Sequence, residues 1–318
     1  MRLRALLLAV AVTLATGTAR ASQLIDRNAS SVKLAVNAKG EALLTYRTGG
    51  HIHRVLAWGA VDARPPTRGR PQIRFKEDYS GGWGKYRTLY WQRFRDACRP
   101  YDGPPLRFVV KACRAPDGSY WAVQAWRVGL PDLGFTPWLP IQRAFELHLS
   151  HWTGPIARLE VWTDWIYGGR FHDLFGRLTY RGGPVYGFHT DRYGAPLDGY
   201  GRLVYLDTYH SRYGRGWRRE NSFVAHNPTG VFCYGFYPFD PQSYPHPPGW
   251  PKGKLRGPGT GARYRLTVEG PGVTPDVSVV VPGLHDFDPS NPADIAYEKQ
   301  QNAVLDSIVG VDKLCRKH

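Results

Sequence analysis

The chain has no C-x-x-C pair, no G-x-S-x-G and no closed set of His, Cys and Asp at metal-ligand spacing. The first absence excludes the short-spaced structural zinc site. The second excludes the nucleophile elbow of an α/β-hydrolase. With the third, no metal and no cofactor are expected. After residue 21 there is also no apolar run of the roughly 20 residues that a membrane-spanning helix needs. No crossover helices alternate with the strand-like runs, which argues against a parallel α/β sheet. No repeat of roughly 20–50 residues is visible, so a propeller or solenoid is set aside. Acid is scarce relative to base: 42 Lys and Arg stand against 26 Asp and Glu, for a net charge of +16. A nucleic-acid-reading motif is missing as well, so charge alone is a poor argument for a nucleic-acid partner.

What is present begins with a leader. Arg2 and Arg4 make a short basic start, residues 5–17 are an apolar run, and Ala19-Arg20-Ala21 is an A-x-A site. This pattern predicts a signal peptide over residues 1–21, cleavage before Ser22, and a secreted, extracellular chain. Ser22 stands where a lipoprotein would carry Cys. The leader holds three Arg and no acid, so its loss lowers the charge by three and leaves a strongly basic mature chain. Such a field favours acidic partners such as uronic-acid or wall polymers; colloidal solubility is the plainer explanation.

Four cysteines in an exported chain predict two disulfides. Cys98 and Cys113 flank a Pro/Gly turn and are expected to pair, which leaves Cys233 for Cys315. The whole chain is rich in Gly (36) and Pro (26), and its apolar residues alternate in short runs. Residues 31–61 read as three strands around Gly40 and Gly49-Gly50. Two strands meet at Ala115-Pro116-Asp117-Gly118, a sequence with turn chemistry. A hairpin closes over Arg181-Gly182-Gly183. His51 and His53 share a strand face, with no third ligand in view. Trp83 sits at a glycine-rich loop tip, and residues 86–94 read as an aromatic strand. In residues 143–152, Phe145, Leu147 and Leu149 are expected to face inward and Glu146, His148 and Ser150 outward. Residues 128–142 hold three Pro, a loop and a possible break between lobes. Residues 292–309 are the one good helix, capped by Ser290 or Asn291, with Ile295, Val304, Leu305 and Ile308 as its apolar stripe. About a dozen strands and one helix argue an all-β antiparallel sandwich over residues 22–318, with jelly-roll topology as one option.

The densest stretch of rings, arginines, acids and histidines is Gly199 to Tyr237. Rings can stack on the apolar faces of sugars, and Arg holds carboxylates through two parallel bonds. Tyr205, Tyr209, Arg212, Tyr213, Arg215, Trp217 and Arg218 are therefore candidate ligand-binding residues, for an acidic or neutral polysaccharide or cell-wall polymer bound without catalysis. Aromatics are also ordinary strand residues and core filler. The alternative is a polysaccharide-cleaving enzyme. A glycosidase needs two carboxyls across the bond, and Asp164, Asp191, Asp207 and Glu220 are the acids to try. A uronic-acid lyase needs a base and a group that neutralises the carboxylate, roles open to His189, His226, Tyr205, Arg218 and Asn221.

Overall fold

The computed structural model describes residues 22–65, 72–128, 144–166, 171–185, 189–190, 196–197, 204–207, 217–220, 230–238 and 263–309. In chain order the first half forms β1 (Gln23–Arg27), β2 (Ser30–Val36), β3 (Ala42–Thr48), β4 (His51–Gly59), β5 (Phe75–Asp78), the helical turns α1 (Trp83–Tyr86) and α2 (Tyr90–Arg93), β6 (Arg99–Pro100), β7 (Val109–Arg114), β8 (Tyr120–Val128) and β9 (Ala144–Trp152). The second half forms β10 (Arg158–Ile166), β11 (Phe171–Tyr180), β12 (Gly183–Pro184), β13 (His189–Thr190), β14 (Pro196–Leu197), β15 (Val204–Asp207), β16 (Trp217–Glu220), β17 (Val231–Pro238), β18 (Arg263–Val268), β19 (Val277–Pro282) and α3 (Pro292–Val309). The chain is mostly β, its strand pairs are antiparallel, and it ends in a short helix. No helix among the described residues is long and apolar enough to cross a membrane.

Three buried apolar clusters organise these strands. One sheet runs β1-β9-β8-β7-β6 and a second runs β2-β3-β4-β5. Leu34, Val36, Leu44, Tyr46 and Val55 from the second meet Trp121, Val123, Leu147 and Leu149 from the first in one buried cluster. Each such side chain contributes roughly 1.5–3 kcal/mol by leaving water. Cys98 and Cys113 are disulfide-bonded across the start of this sheet, their Cα atoms 5.7 Å apart. In the second half, β10-β11-β17-β16 and β15-β18-β19 are separate sheets. They share a core of Leu159, Val161, Leu174, Phe232, Leu266 and Val281, among others. The opposite face of β10, β11 and β17 presents Trp162, Phe175 and Cys233 to Val304, Leu305 and Ile308 of α3. Cys233 is disulfide-bonded too; Cys315, its expected partner, lies outside the described residues.

Local chemistry explains the turns and caps. The β11–β12 hairpin turns through Arg181 (φ 50°) and Gly182 (φ 79°), two successive left-handed residues that match the twist of a two-residue hairpin. Asn291 caps α3: its Oδ1 accepts the Ala293 N–H at 3.0 Å, and Asp294 follows in the first turn.

Three expectations fail for identifiable reasons. Residues 86–94 are not a strand; left-handed Gly82 and Arg87 bracket one helical turn and α2 forms another. Ile295 is exposed, so the apolar stripe of α3 is confined to its second half. On β9, Glu146, His148 and Ser150 are buried while Phe145 is 54% exposed. A second layer, formed by the β18–β19 connection, covers the face that alternation assigns to water.

Candidate functional site

Under that layer lies a polar cluster. Gln124 and Trp126 of β8 and Glu146 and His148 of β9 share one face through cross-strand pairing. Against them sits the Glu269–Asp276 connection. Gln124 grips it as a neighbouring strand would: its Oε1 accepts the Asp276 N–H at 2.9 Å and its Nε2 donates to the Asp276 carbonyl at 3.0 Å. Trp126 Nε1 and the Gly270 N–H donate to the Asp276 carboxylate at 2.9 and 3.1 Å. Gly270 is required here, since a Cβ would stand 2.0 Å from the Pro275 carbonyl oxygen. Ser22, just before β1, donates its hydroxyl to Asp276.

His148 is the centre of this cluster and is fully buried. Its Nε2 lies 3.1 Å from Glu146 Oε2, and its Nδ1 lies 3.0 Å from Ser22 Oγ and 3.4 Å from Asp276 Oδ2. Burial alone would lower its pKa. The charges of Asp276, Glu146 and Glu269 outweigh this and push it up to about 9, so the ring is an imidazolium at neutral pH. Glu146 is drawn the other way: burial would raise it, but His148 and Arg27, at 2.8 Å, hold it below the usual carboxylate range. Ligand atoms of Glu146, His148 and Glu269 lie within 4.8 Å of one another, a spacing that a metal ion could use. Both ring nitrogens of His148 are nevertheless engaged, Nε2 on Glu146 itself. The arrangement is that of a charged hydrogen-bonded cluster rather than of ligands turned toward a common point.

A second acidic feature follows from register alone. Asp164 of β10 pairs with Asp173 of β11, Asp173 with Gly235 of β17, and Gly235 with Glu220 of β16. Opposed residues on antiparallel strands share a face, here the face of Trp162, Phe175 and Cys233. Strands lie about 4.8 Å apart, so the two aspartates are neighbours. Glu220 stands about 10 Å from Asp173, across a position without a side chain. Asp164 and Asp173 are both buried, and Asp164 Oδ1 accepts the Trp165 N–H at 2.7 Å.

The third feature is a surface. Residues 74–95 carry Arg74, Lys76, Lys85, Arg87, Arg93 and Arg95 against Glu77 and Asp78, interleaved with six aromatic rings besides the core residue Phe75. Trp83 is 48% exposed and Tyr79 55%. The Arg54 guanidinium lies 3.9 Å from the centre of the Trp91 ring, and Lys85 Nζ 4.0 Å from that of Trp58. Tyr86 and Tyr90 stack at 4.1 Å. One buried acid holds the surface together: Glu41 accepts from Lys85 at 2.6 Å, Tyr90 at 2.9 Å, Asn37 at 2.8 Å and Tyr86. Burial would raise the Glu41 pKa; these donors bring it down to about 2. The left-handed Gly82 and the close seat of Gly81 beside Arg54 and Trp91 give the loop its path.

The sequence-predicted residues are distributed as follows. Tyr205 and Asp207 lie on β15, opposite Thr267 and Arg265. Trp217, Arg218 and Glu220 lie on β16, opposite Tyr237 and its neighbours in β17. His189 is in the short β13–β14 pair. Asp207 and Glu220 thus belong to different sheets and are not brought together as a carboxyl pair; Glu220 aligns with Asp173 and Asp164 instead. Tyr209, Arg212, Tyr213, Arg215 and His226, with Asp191 and Asn221, lie outside the described residues. Sequence reasoning missed the surface at residues 74–95, although its density of rings and arginines was a visible signal. It also missed the His148 cluster, whose members come from four distant segments. No protein-family model matches this chain, and no curated protein or solved structure similar to it was found.

Proposed function

We propose that the protein is exported, loses residues 1–21, and binds an acidic or hydroxyl-rich extracellular polymer without altering it. The observation that carries this reading is the basic aromatic surface of residues 74–95 with Arg54. It combines exposed rings able to stack on sugar faces with cations able to meet carboxylates. Tyr205, Trp217 and Arg218, and the expected binding residues 209–215, extend the same chemistry in the second half. The test is a pull-down on immobilised uronic-acid and neutral glycans at low and high salt. Binding to the acidic polymers should weaken as salt rises, and Trp83→Ala should reduce it about tenfold while leaving the unfolding midpoint unchanged. Retention on neutral glycans alone, insensitive to salt, rules out the polyanion reading.

The acid row supports a second reading, cleavage of such a polymer. Two carboxyls roughly 6.5–9.5 Å apart suit an inverting glycosidase, and the register places Asp173 and Glu220 on the strands either side of Gly235. Incubating the protein with polysaccharides and measuring new reducing ends decides between the readings. Product that disappears in both Asp173→Asn and Glu220→Gln favours cleavage; no product at high protein load favours binding.

A further inference from the structure

Ser22 is the residue that A-x-A cleavage would make the first of the mature chain, and it is completely buried. Its surroundings are the polar cluster under β9. Its hydroxyl donates to Asp276, and its carbonyl lies 3.2 Å from His148 Nδ1. Within one serine the backbone nitrogen and the hydroxyl oxygen are roughly 3–4 Å apart. The Ser22 nitrogen therefore lies within about 6 Å of the Asp276 carboxylate. We propose that the α-ammonium created at Ser22 by leader removal is captured by Asp276 and becomes a structural cation of the mature fold.

The proposal rests on the leader reading above, and the chemistry follows from it. Before cleavage this nitrogen is a neutral amide with one proton to donate. After cleavage it is a cation with three, beside an acceptor already fixed by Trp126, Gly270 and Gln124. The charged groups of the cluster it would join are Asp276, Glu146 and Glu269, with His148 and, against Glu146, Arg27 as the other cations. Charge-assisted hydrogen bonds are stronger than neutral ones, and a buried ammonium persists only when paired. Removal of the leader thereby becomes a step of folding: the processed chain holds β1 to the β18–β19 connection more tightly than the unprocessed chain can.

Two experiments separate the leader from the capture. The intact mass of the exported protein should correspond to a chain beginning at Ser22; another start overturns the leader reading and this proposal with it. In a chain prepared with Ser22 first, labelling of the α-amine by an amine-reactive ester should be at least about tenfold slower in the folded protein than in urea, the factor given by one unit of upward pKa shift. One glycine added before Ser22 should lower the thermal midpoint by roughly 2–4 °C or more, and Asp276→Asn should abolish the difference between the two chains. A Ser22 start with an amine labelled equally fast in both states, or a glycine extension without effect on the midpoint, overturns the capture and leaves the export reading standing.

Discussion

His148 and His151 lie three residues apart on β9, on opposite faces, and both are buried. Around His148 the neighbours are carboxylates, and the ring is held protonated to about pH 9. Around His151 they are an indole, a hydroxyl and main-chain carbonyls. The ring stacks on Trp121 at 3.9 Å, donates from Nδ1 to the Ala60 carbonyl at 2.9 Å and meets Ser119 Oγ at 2.8 Å through Nε2. Burial outweighs the main-chain carbonyls and the charges of Asp117 and Asp62 and pushes its pKa down to about 4. Burial disfavours charge at both positions; the decision is made by what the opposite layer brings. The face of His151 packs as an apolar core around a neutral ring. The face of His148 packs as an ionic seam between the two halves of the chain.

The comparison can be broken most severely at the seam. Replacing His148 with Phe leaves three buried carboxylates without their shared cation, and about 3–5 kcal/mol of stability should be lost in urea unfolding. Asp276→Ala, which removes the acceptor instead, should cost a similar amount; a loss under about 1 kcal/mol from either would mean that the cluster is not an ionic unit. The pH profile separates the faces by sign. The His148 pKa is raised, so its contribution is complete below about 6.5 and fades as pH rises through about 9. The His151 pKa is lowered, so its contribution is complete above about 6.5 and fades as pH falls through about 4. Each limb is on the order of 3 kcal/mol. His148→Phe should flatten the alkaline limb and also alter the acid limb through Glu146, which it helps to hold ionised, whereas His151→Phe should flatten the acid limb alone; a profile unaltered by both contradicts the assignment. Reducing Cys98–Cys113 tests the apolar face, where Cys113 is a core member, and should cost about 3 kcal/mol by the loop-entropy relation. The smallest effect belongs to His151→Phe at neutral pH, about 1–3 kcal/mol for the Ala60 carbonyl left without its donor.

Much of the architecture was legible in the residues. Alternation located β3, β8, β9 and β10, turn chemistry placed the Asp117-Gly118 and Arg181-Gly182 reversals, and proximity paired Cys98 with Cys113. What alternation cannot convey is whether a second layer lies over the polar face. Glu146, His148 and Ser150 read as solvated because the residues that bury them, Glu269 to Asp276, stand more than a hundred positions away. Residues 86–94 misled for a local reason. Tyr, Trp and Thr favour strands, but left-handed glycines at 81 and 82 and the anchoring of three donors on Glu41 impose helical turns instead. The acid row is a third case: Asp164 and Glu220 were both candidates, yet only the register through β11 and β17 reveals that Asp173 belongs with them.

The pairing of β1 with β9 has a consequence for how the molecule is made. Gln23 meets Leu149, and Ser22 and His148 are separated by 126 positions. At a synthesis rate of roughly 5–20 residues per second, the first strand waits on the order of 6–25 s before its partner exists. Throughout that interval the β1 edge is open to any other extended chain. The earliest strand to emerge is thus among the last of the first half, β1 to β9, to be paired, and N-terminal fragments that stop short of β9 should aggregate where the complete chain does not.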